Sequence, residues 1–291
     1  MSGNMEVSCI ADVKAVLGEG PVWVEREQAL YWVDIKGLKI FRLDNVGNLT
    51  SWETPLRIGS LAPREQGGFI SGTERGFAIV DPEEERFELL ADPEPERTDN
   101  RFNDGKVDRS GRFWAGTMDD TEARSAGALY RLDTLSRWER VDDGYKVTNG
   151  PAFSPDGRIM YHTDSARQTI YAFDLDEAGG VSNRRILARF GEGEGYPDGM
   201  TVDSEGCLWM AFWDGWCIRR LSPSGEPMLQ VEVPVQRPTS CAFGGPSLDR
   251  LYVTSASIGL DETDLGVQPY AGGLFVFEPG VSGLAELPFK G

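Results

Sequence analysis

The 291-residue chain reads as an all-β protein, a six-bladed β-propeller, and three observations carry that expectation. Short β-type runs alternate with Gly/Asp/Pro-rich turns along its whole length. No segment shows a helical hydrophobic stripe. A small pattern also recurs: residues 103–111 (NDGKVDRSG), 149–157 (NGPAFSPDG), 198–206 (DGMTVDSEG) and, in degenerate form, 19–27 (EGPVWVERE). In the first three, an apolar residue stands four places after the lead, Asp or Ser five places after, and Gly eight places after. The fourth keeps only the lead Glu19 and the apolar Trp23.

The first class of strand follows a turn and is rich in aromatic or β-branched residues. Its members are ALYWVDI (29–35), RFWAGTM (112–118), RIMYHTDS (158–165), CLWMAFW (207–213) and RLYVTSA (250–256). A second class follows: LKIFRLD (38–44), GFAIVD (76–81), GALYRLD (127–133), TIYAFDLD (169–176), CIRRLS (217–222) and GLFVFE (273–278). Each ends on Asp, Ser or Glu, as a hairpin edge turning into solvent does.

The leads Glu19, Asn103, Asn149, Asp198 and, more weakly, Thr239 lie 84, 46, 49 and 41 positions apart. The first gap is double, which places a blurred lead near Ser60. Six repeats of about 40–45 residues, each holding several antiparallel strands, fit propeller blades and not a solenoid. No linker or composition shift divides residues 1–291, so one domain is expected. Residues 5–13 (MEVSCIADV) are the expected N-terminal contribution to the last blade.

Composition narrows the function. Gly 35 and Pro 17 are high for a helical protein, and 8 Trp, 8 Tyr and 14 Phe suffice for a large core. A formal net charge of -18 and a pI near 4.5 oppose nucleic acid and anionic lipid as partners. The opening MSGNMEVSCIADVKA has no basic n-region or apolar h-region. Cys9, Cys207, Cys217 and Cys241 lack metal or framework spacing and read as reduced thiols of a cytoplasmic protein. A Cys207–Cys217 bridge across a hairpin is the one disulfide that spacing allows.

A ring of blades brings equivalent inner-strand positions to one channel mouth. Glu19, Asn149 and Asp198 then offer two carboxylates and an amide oxygen, a hard-oxygen site for a divalent cation. Asn103 completes that ring or stands just outside it. Three protein ligands leave room for water and substrate, as a catalytic metal requires. Turn preference alone explains Asn or Asp followed by Gly at any single position; recurrence at one position of several repeats is the stronger observation. Arg101 is the one cation expected at this acidic mouth, its planar fork suited to a polyhydroxy ligand. Trp213 and Trp216 are candidates for an apolar wall or for the core.

Other chemistries fit less well. One histidine, His162, excludes a multi-histidine zinc site, and its strand context points to packing between blades. No GxSxG elbow, P-loop or GxGxxG is present. DLDEAGG (174–180) begins like a calcium loop but has Arg185 where the acidic twelfth residue belongs. GEGEGYPDG (191–199) reads as a loop over the channel mouth.

LGEGPVW (17–23), RFNDGKVDRSGRFWAGTM (101–118), TNGPAFSPDG (148–157), YPDGMTVDSEGCLW (196–209), RPTSCAFGG (237–245) and AGGLFVF (271–277) resemble the SMP-30/gluconolactonase/regucalcin-like family, in its order and from first blade to last. The resemblance implies a hydrolase of carbohydrate metabolism that opens sugar aldonolactones with one divalent metal in the channel. By position, Glu19, Asn149 and Asp198 match the family's metal ligands, and Arg101 and Asn103 its substrate-contacting pair. In the shortened segment 119–130, Glu122, Asp119 or Asp120 is the further candidate for contact with sugar hydroxyls, Glu122 being preferred. In the implied reaction Asp198 accepts a proton from the attacking water. Xylonolactone is favoured by resemblance over gluconolactone, and a monomer is expected. Fe2+, Mn2+ or Zn2+ is favoured for affinity, with Ca2+ admissible by ligand type. Two rivals use the same site: a non-catalytic calcium- or sugar-binding propeller, and a phosphotriesterase or arylesterase.

Overall fold

A computed structural model describes residues 5–291. It contains six four-stranded antiparallel sheets. Their inner strands are Gly18–Val24, Ile58–Pro63, Asn100–Val107, Thr148–Phe153, Tyr196–Val202 and Pro238–Gly244. Each packs against the next, and the first packs against the last, which closes a six-bladed propeller. The inner strands of blades 1, 2, 4 and 6 are buried along their whole length, since blades cover them on both faces. The blurred second lead falls where expected, with Ser60 on the inner strand of blade 2.

Ring closure follows the expected route. Ser8–Ala11, inside the segment read as the N-terminal contribution, pairs antiparallel with Leu274–Phe277 and completes blade 6. Such closure gives blade 6 its outermost strand and ties the N-terminal segment to the last blade. The one α-helix among the described residues, Glu262–Val267, is a single capped turn-and-a-half on a connection.

The repeat has a local cause. Asp108 Oδ1 accepts the backbone N–H groups of Ser110 (2.8 Å) and Arg112 (3.0 Å), while its Oδ2 accepts Trp114 Nε1 (2.9 Å). Asp203 does the same for Glu205, Cys207 and Trp209 at 2.9 Å each. Ser154 replaces the carboxylate in blade 4, where its Oγ accepts Ile159 N–H (3.0 Å). Three residues further on, Gly111, Gly157 and Gly206 close these turns with φ of 89°, 69° and 84°, a region that favours glycine. The apolar residue just before the Asp or Ser is buried in the sheet stack: Val107, Phe153 and Val202. Thus the inner strands of blades 3, 4 and 5 each end in a side-chain-locked hairpin.

Register breaks in every inner strand at or beside the lead, for example between Glu19 and Val22 and between Asn149 and Ala152. Such bulges bend a strand and re-aim its side chains. Four of the six leads, Glu19, Asn103, Asn149 and Asp198, line the cavity at the channel mouth, whereas Ser60 and Thr239 are buried outside it.

The opposite end of the ring is crossed by the C-terminal segment. Gly283 N–H donates to the Leu248 carbonyl (2.8 Å), Arg109 Nη1 to Ala285 (2.8 Å) and Lys106 Nζ to Glu286 (2.9 Å). Phe289 N–H then donates to Pro63 (2.8 Å), and the fully buried Phe289 ring joins the core between blades 2 and 3. Because this strap ties blades 6, 3 and 2, Phe289→Ala should destabilise the fold by roughly 3–5 kcal/mol. Chemical denaturation of the variant beside wild type measures it; a loss near zero would show the strap to be decorative.

Candidate metal centre at the channel mouth

A cavity of about 600 Å3 opens at the mouth where the inner strands begin. All six residues singled out from the sequence line it: Glu19, Arg101, Asn103, Glu122, Asn149 and Asp198. The three candidate ligands are buried, with Glu19 5%, Asn149 2% and Asp198 6% exposed. Their orientation is fixed by a chain of hydrogen bonds. Arg101 Nη1 donates to Asn103 Oδ1 (2.7 Å), and Asn103 Nδ2 donates to Asn149 Oδ1 (3.1 Å) and to the Thr148 carbonyl (2.8 Å). Asn149 Nδ2 in turn donates to Ser165 Oγ (2.8 Å). Arg101 thus orders Asn103, and Asn103 sets which way the Asn149 amide points.

The electrostatics are those of a site short of positive charge. Glu19 Oε2 accepts Gly20 N–H (3.0 Å), yet burial and the neighbouring Asp104 push its carboxyl up to about 8. Burial pushes Asp198 well above the ordinary carboxylate range, with Glu19, Asp104 and Glu122 adding repulsion. Neither carboxylate has an ion-pair partner among the described residues. Buried carboxylates facing one another without a cation are costly, and a divalent ion between them and the Asn149 oxygen supplies what is missing. The donor set fits a hard divalent metal.

A stability effect follows from the same charges. The folded-state carboxyl of Glu19 holds its proton to higher pH than it does unfolded, so the folded state binds more protons between the two values. Metal-free stability should accordingly fall as pH rises from about 5 to 8. Glu19→Gln should then raise metal-free stability at pH 8 by on the order of 2 kcal/mol. Calorimetry of chelated wild type and variant at both pH values checks the sign; a variant less stable at pH 8 would contradict it.

Sequence reasoning missed Asp104, and it named Asp120 only as a possible sugar contact, not as the partner of Arg101. Asp104, beside the lead Asn103, is buried, accepts Gly105 N–H (2.8 Å) and Gly150 N–H (2.9 Å), and is pushed by burial up to about 6. It thereby pins the backbone next to Asn149. Asp120 accepts Arg101 Nε (2.7 Å), Arg57 Nη1 (2.7 Å) and Lys36 Nζ (3.0 Å). Burial alone would raise it, but the bonds from Arg57, Lys36 and Arg101 hold it well below the usual range. The expectation of Arg101 as the one cation at the mouth is corrected, because Lys36, Lys146 and Arg237 also line the cavity. They come from inter-strand connections of other blades, where no repeat marks them.

The remaining candidates separate. Trp213 lines the cavity, with Arg237 4.9 Å above its ring, whereas Trp216 is 41% exposed and lies outside it. Tyr196, from the loop 191–199, also lines it. His162 is fully buried, packs edge-on against Tyr145 (4.7 Å), and burial pushes it down to about 3. It stays neutral and outside the cavity. All four cysteines are free, so no Cys207–Cys217 bridge forms; Leu208 pairs with Leu221 and Cys217 with Phe212, at opposite ends of the hairpin. Asp176 accepts Gly180 N–H (2.7 Å), which makes 174–180 a self-capped turn. Asp203, Glu205 and Cys207 cluster closely enough to hold an ion. There, however, Arg220 Nη2 bridges Asp203 (2.7 Å) and Glu205 (2.5 Å), so a guanidinium already neutralises the group.

Fold and site together define a propeller whose channel mouth gathers two unpaired carboxylates and an oriented amide in a polar cavity. The chain belongs to the SMP-30/gluconolactonase/LRE-like family: a family model described as SMP-30/Gluconolactonase/LRE-like region matches residues 17–257. The chain is 39% identical over 290 residues to 6-deoxy-6-sulfogluconolactonase of Pseudomonas putida, covering 99% of this chain and 100% of that protein. It is 38% identical over 294 residues to regucalcin of Danio rerio, covering 99% of each. Among solved structures, the calcium-binding protein regucalcin of Agrobacterium tumefaciens superposes with a TM-score of 0.93 at 26% identity, covering 98% of each chain. No helix of the described residues is long and apolar enough to cross a membrane.

Proposed function

We propose that this protein is a metal-dependent lactonase that hydrolyses a sugar aldonolactone to the aldonic acid. The observation that carries the proposal is the pair of buried, cation-free carboxylates, Glu19 and Asp198, beside the oriented Asn149 amide in a cavity of sugar size. Family membership and the lactonase name of a relative 39% identical support the reaction class. The same name favours a six-carbon lactone of the glucono type, with xylonolactone the five-carbon alternative.

A divalent cation held by Glu19, Asn149 and Asp198 would supply Lewis acidity to the ester carbonyl. The chain's own residues do the rest. Asp198, a buried carboxylate that lines the cavity, accepts a proton from the water that attacks the lactone carbonyl. Arg101, clamped by Asp120 through Nε and tied to Asn103 through Nη1, offers its remaining donor face to ring hydroxyls. Glu122, exposed at the rim, accepts from a hydroxyl at the outer end of the sugar. Tyr196 and Trp213 give one wall an apolar face against the ring carbons. Ring opening then releases the alkoxide oxygen, which takes the proton back.

The test is a substrate panel of pentono- and hexonolactones, aryl esters and organophosphates, with and without chelator. Spontaneous opening is subtracted through a no-enzyme control. Chelator-sensitive opening of the sugar lactones with little turnover of the others is the expected result. Turnover confined to aryl esters or organophosphates, or none at all with sugar binding retained, would reject the proposal.

A further inference from the structure

Blade 2 gives the cavity no lead, since Ser60 is buried outside it. What blade 2 supplies instead is Arg57, the residue just before its inner strand. Arg57 is not among the residues that line the cavity with Glu19, Asn149 and Asp198. It lines a neighbouring groove of about 420 Å3 between blades 2 and 3, and Arg101 forms part of both walls. Arg57 reaches Arg101 only through Asp120.

Arg57 is itself held from within blade 2. Its Nε donates to Glu74 Oε2 (2.5 Å), its backbone N–H donates to Oε1 (3.3 Å), and its carbonyl accepts Glu74 N–H (3.0 Å). Side chain and backbone are tied at once, so the guanidinium has a fixed direction. Its Nη1 then donates to Asp120 Oδ2 (2.7 Å).

Asp120 has no acceptor left for a sugar. An ionised carboxylate offers about four acceptor positions. Here Oδ1 accepts Arg101 Nε (2.7 Å) and Lys36 Nζ (3.0 Å), while Oδ2 accepts Arg57 Nη1 (2.7 Å) and Lys36 Nζ (3.3 Å). Arg101, in turn, depends on this carboxylate. Its side chain is 5% exposed, and Asp120 is its one ion-pair partner among the described residues. A buried charge that loses its partner is costly where it stands. With Nε on Asp120 and Nη1 on Asn103 Oδ1 (2.7 Å), the plane of the guanidinium is fixed from two edges.

We propose that Arg57 and Asp120 are positioning residues of this site: neither touches the lactone, and together they fix the plane of Arg101, which does. The strut runs Glu74–Arg57–Asp120–Arg101 from blade 2 to blade 3, and Lys36 of blade 1 braces Asp120. It rests on the lactonase function above and adds the residues that hold its sugar-binding cation in place.

The experiment is a pair of double-mutant cycles. Rates on D-glucono-1,5-lactone, corrected for spontaneous opening, are measured for Asp120→Asn, Arg57→Gln, Arg101→Met and each of the first two combined with the third. Melting curves establish that every variant is folded. Asp120→Asn should lower kcat/KM about 10- to 100-fold and Arg57→Gln about 3- to 10-fold, mainly through KM. In the Arg101→Met background each should cost less than about twofold, because nothing remains to be positioned. A residue that touched the sugar itself, or served only the fold, would lose the same factor with and without Arg101. Additive losses therefore overturn the proposal. Crystal structures of the two single variants need no turnover: the Arg101–Asn103 hydrogen bond should be broken in Asp120→Asn and lengthened in Arg57→Gln. An Arg101 left in its wild-type place in either variant also overturns the proposal. Should wild type open no lactone while Arg101 is displaced in both variants, the lactonase function fails and the strut stands.

Discussion

Asp198→Asn is expected to reduce lactone turnover by about 10^3-fold or more, because one change removes both a ligand and the proton acceptor. The same substitution should leave the propeller intact. Asp198 is buried against Glu19 and Asp104, so its charge works against folding in the metal-free protein. Neutralising it relieves that repulsion without altering shape, and the metal-free variant should melt at or above the wild-type temperature. Sites that bind and react commonly trade stability in this way. Initial rates corrected for spontaneous opening, together with melting curves of chelated protein, decide the matter. Turnover near the wild-type rate would remove Asp198 from the chemistry. A collapse in melting temperature would show that its role is in the fold.

Metal removal should have the next largest effect. Exhaustive chelation is expected to abolish accelerated lactone opening, and a stoichiometric divalent ion should restore it. Fe2+, Mn2+ and Zn2+ should act at lower concentration than Ca2+ or Mg2+, following their stronger general affinity for such donors. Loading should also stabilise the fold, by about 2.7 kcal/mol once free metal exceeds the dissociation constant a hundredfold. Because Glu19 and Asp198 hold protons more tightly than ordinary carboxyls, metal binding near neutral pH should release protons. Calorimetric titration in two buffers of different ionisation enthalpy reads that release. Full activity after chelation, with metal analysis confirming removal, would contradict the site's assigned chemistry.

The architecture was legible where burial is two-sided or alternates strongly. Runs such as ALYWVDI and CLWMAFW sit within a residue or two of Ala29–Asp34 and Leu208–Trp213. The outermost strands, such as Leu49–Glu53, Arg137–Tyr145 and Val181–Arg189, left no comparable mark. They are largely exposed, so water accepts almost any polar residue there and no hydrophobic period is imposed. Glu19, Asn149 and Asp198 stood out because equivalent repeat positions carried oxygen ligands, and the fold does bring them to one cavity. Asp104, Lys36, Arg57 and Lys146 did not, since their neighbours come from other blades and their placement exists only in the closed ring. The Asp and Gly of the repeat had a structural cause that spacing alone could not reveal: they lock hairpins.

The most direct measurement is anomalous diffraction from crystals of active protein equilibrated with Mn2+. A single strong peak bounded by the side-chain oxygens of Glu19, Asn149 and Asp198 is predicted. A peak at the Asp203–Glu205 cluster instead, or none at the channel mouth while lactone turnover persists, would contradict it.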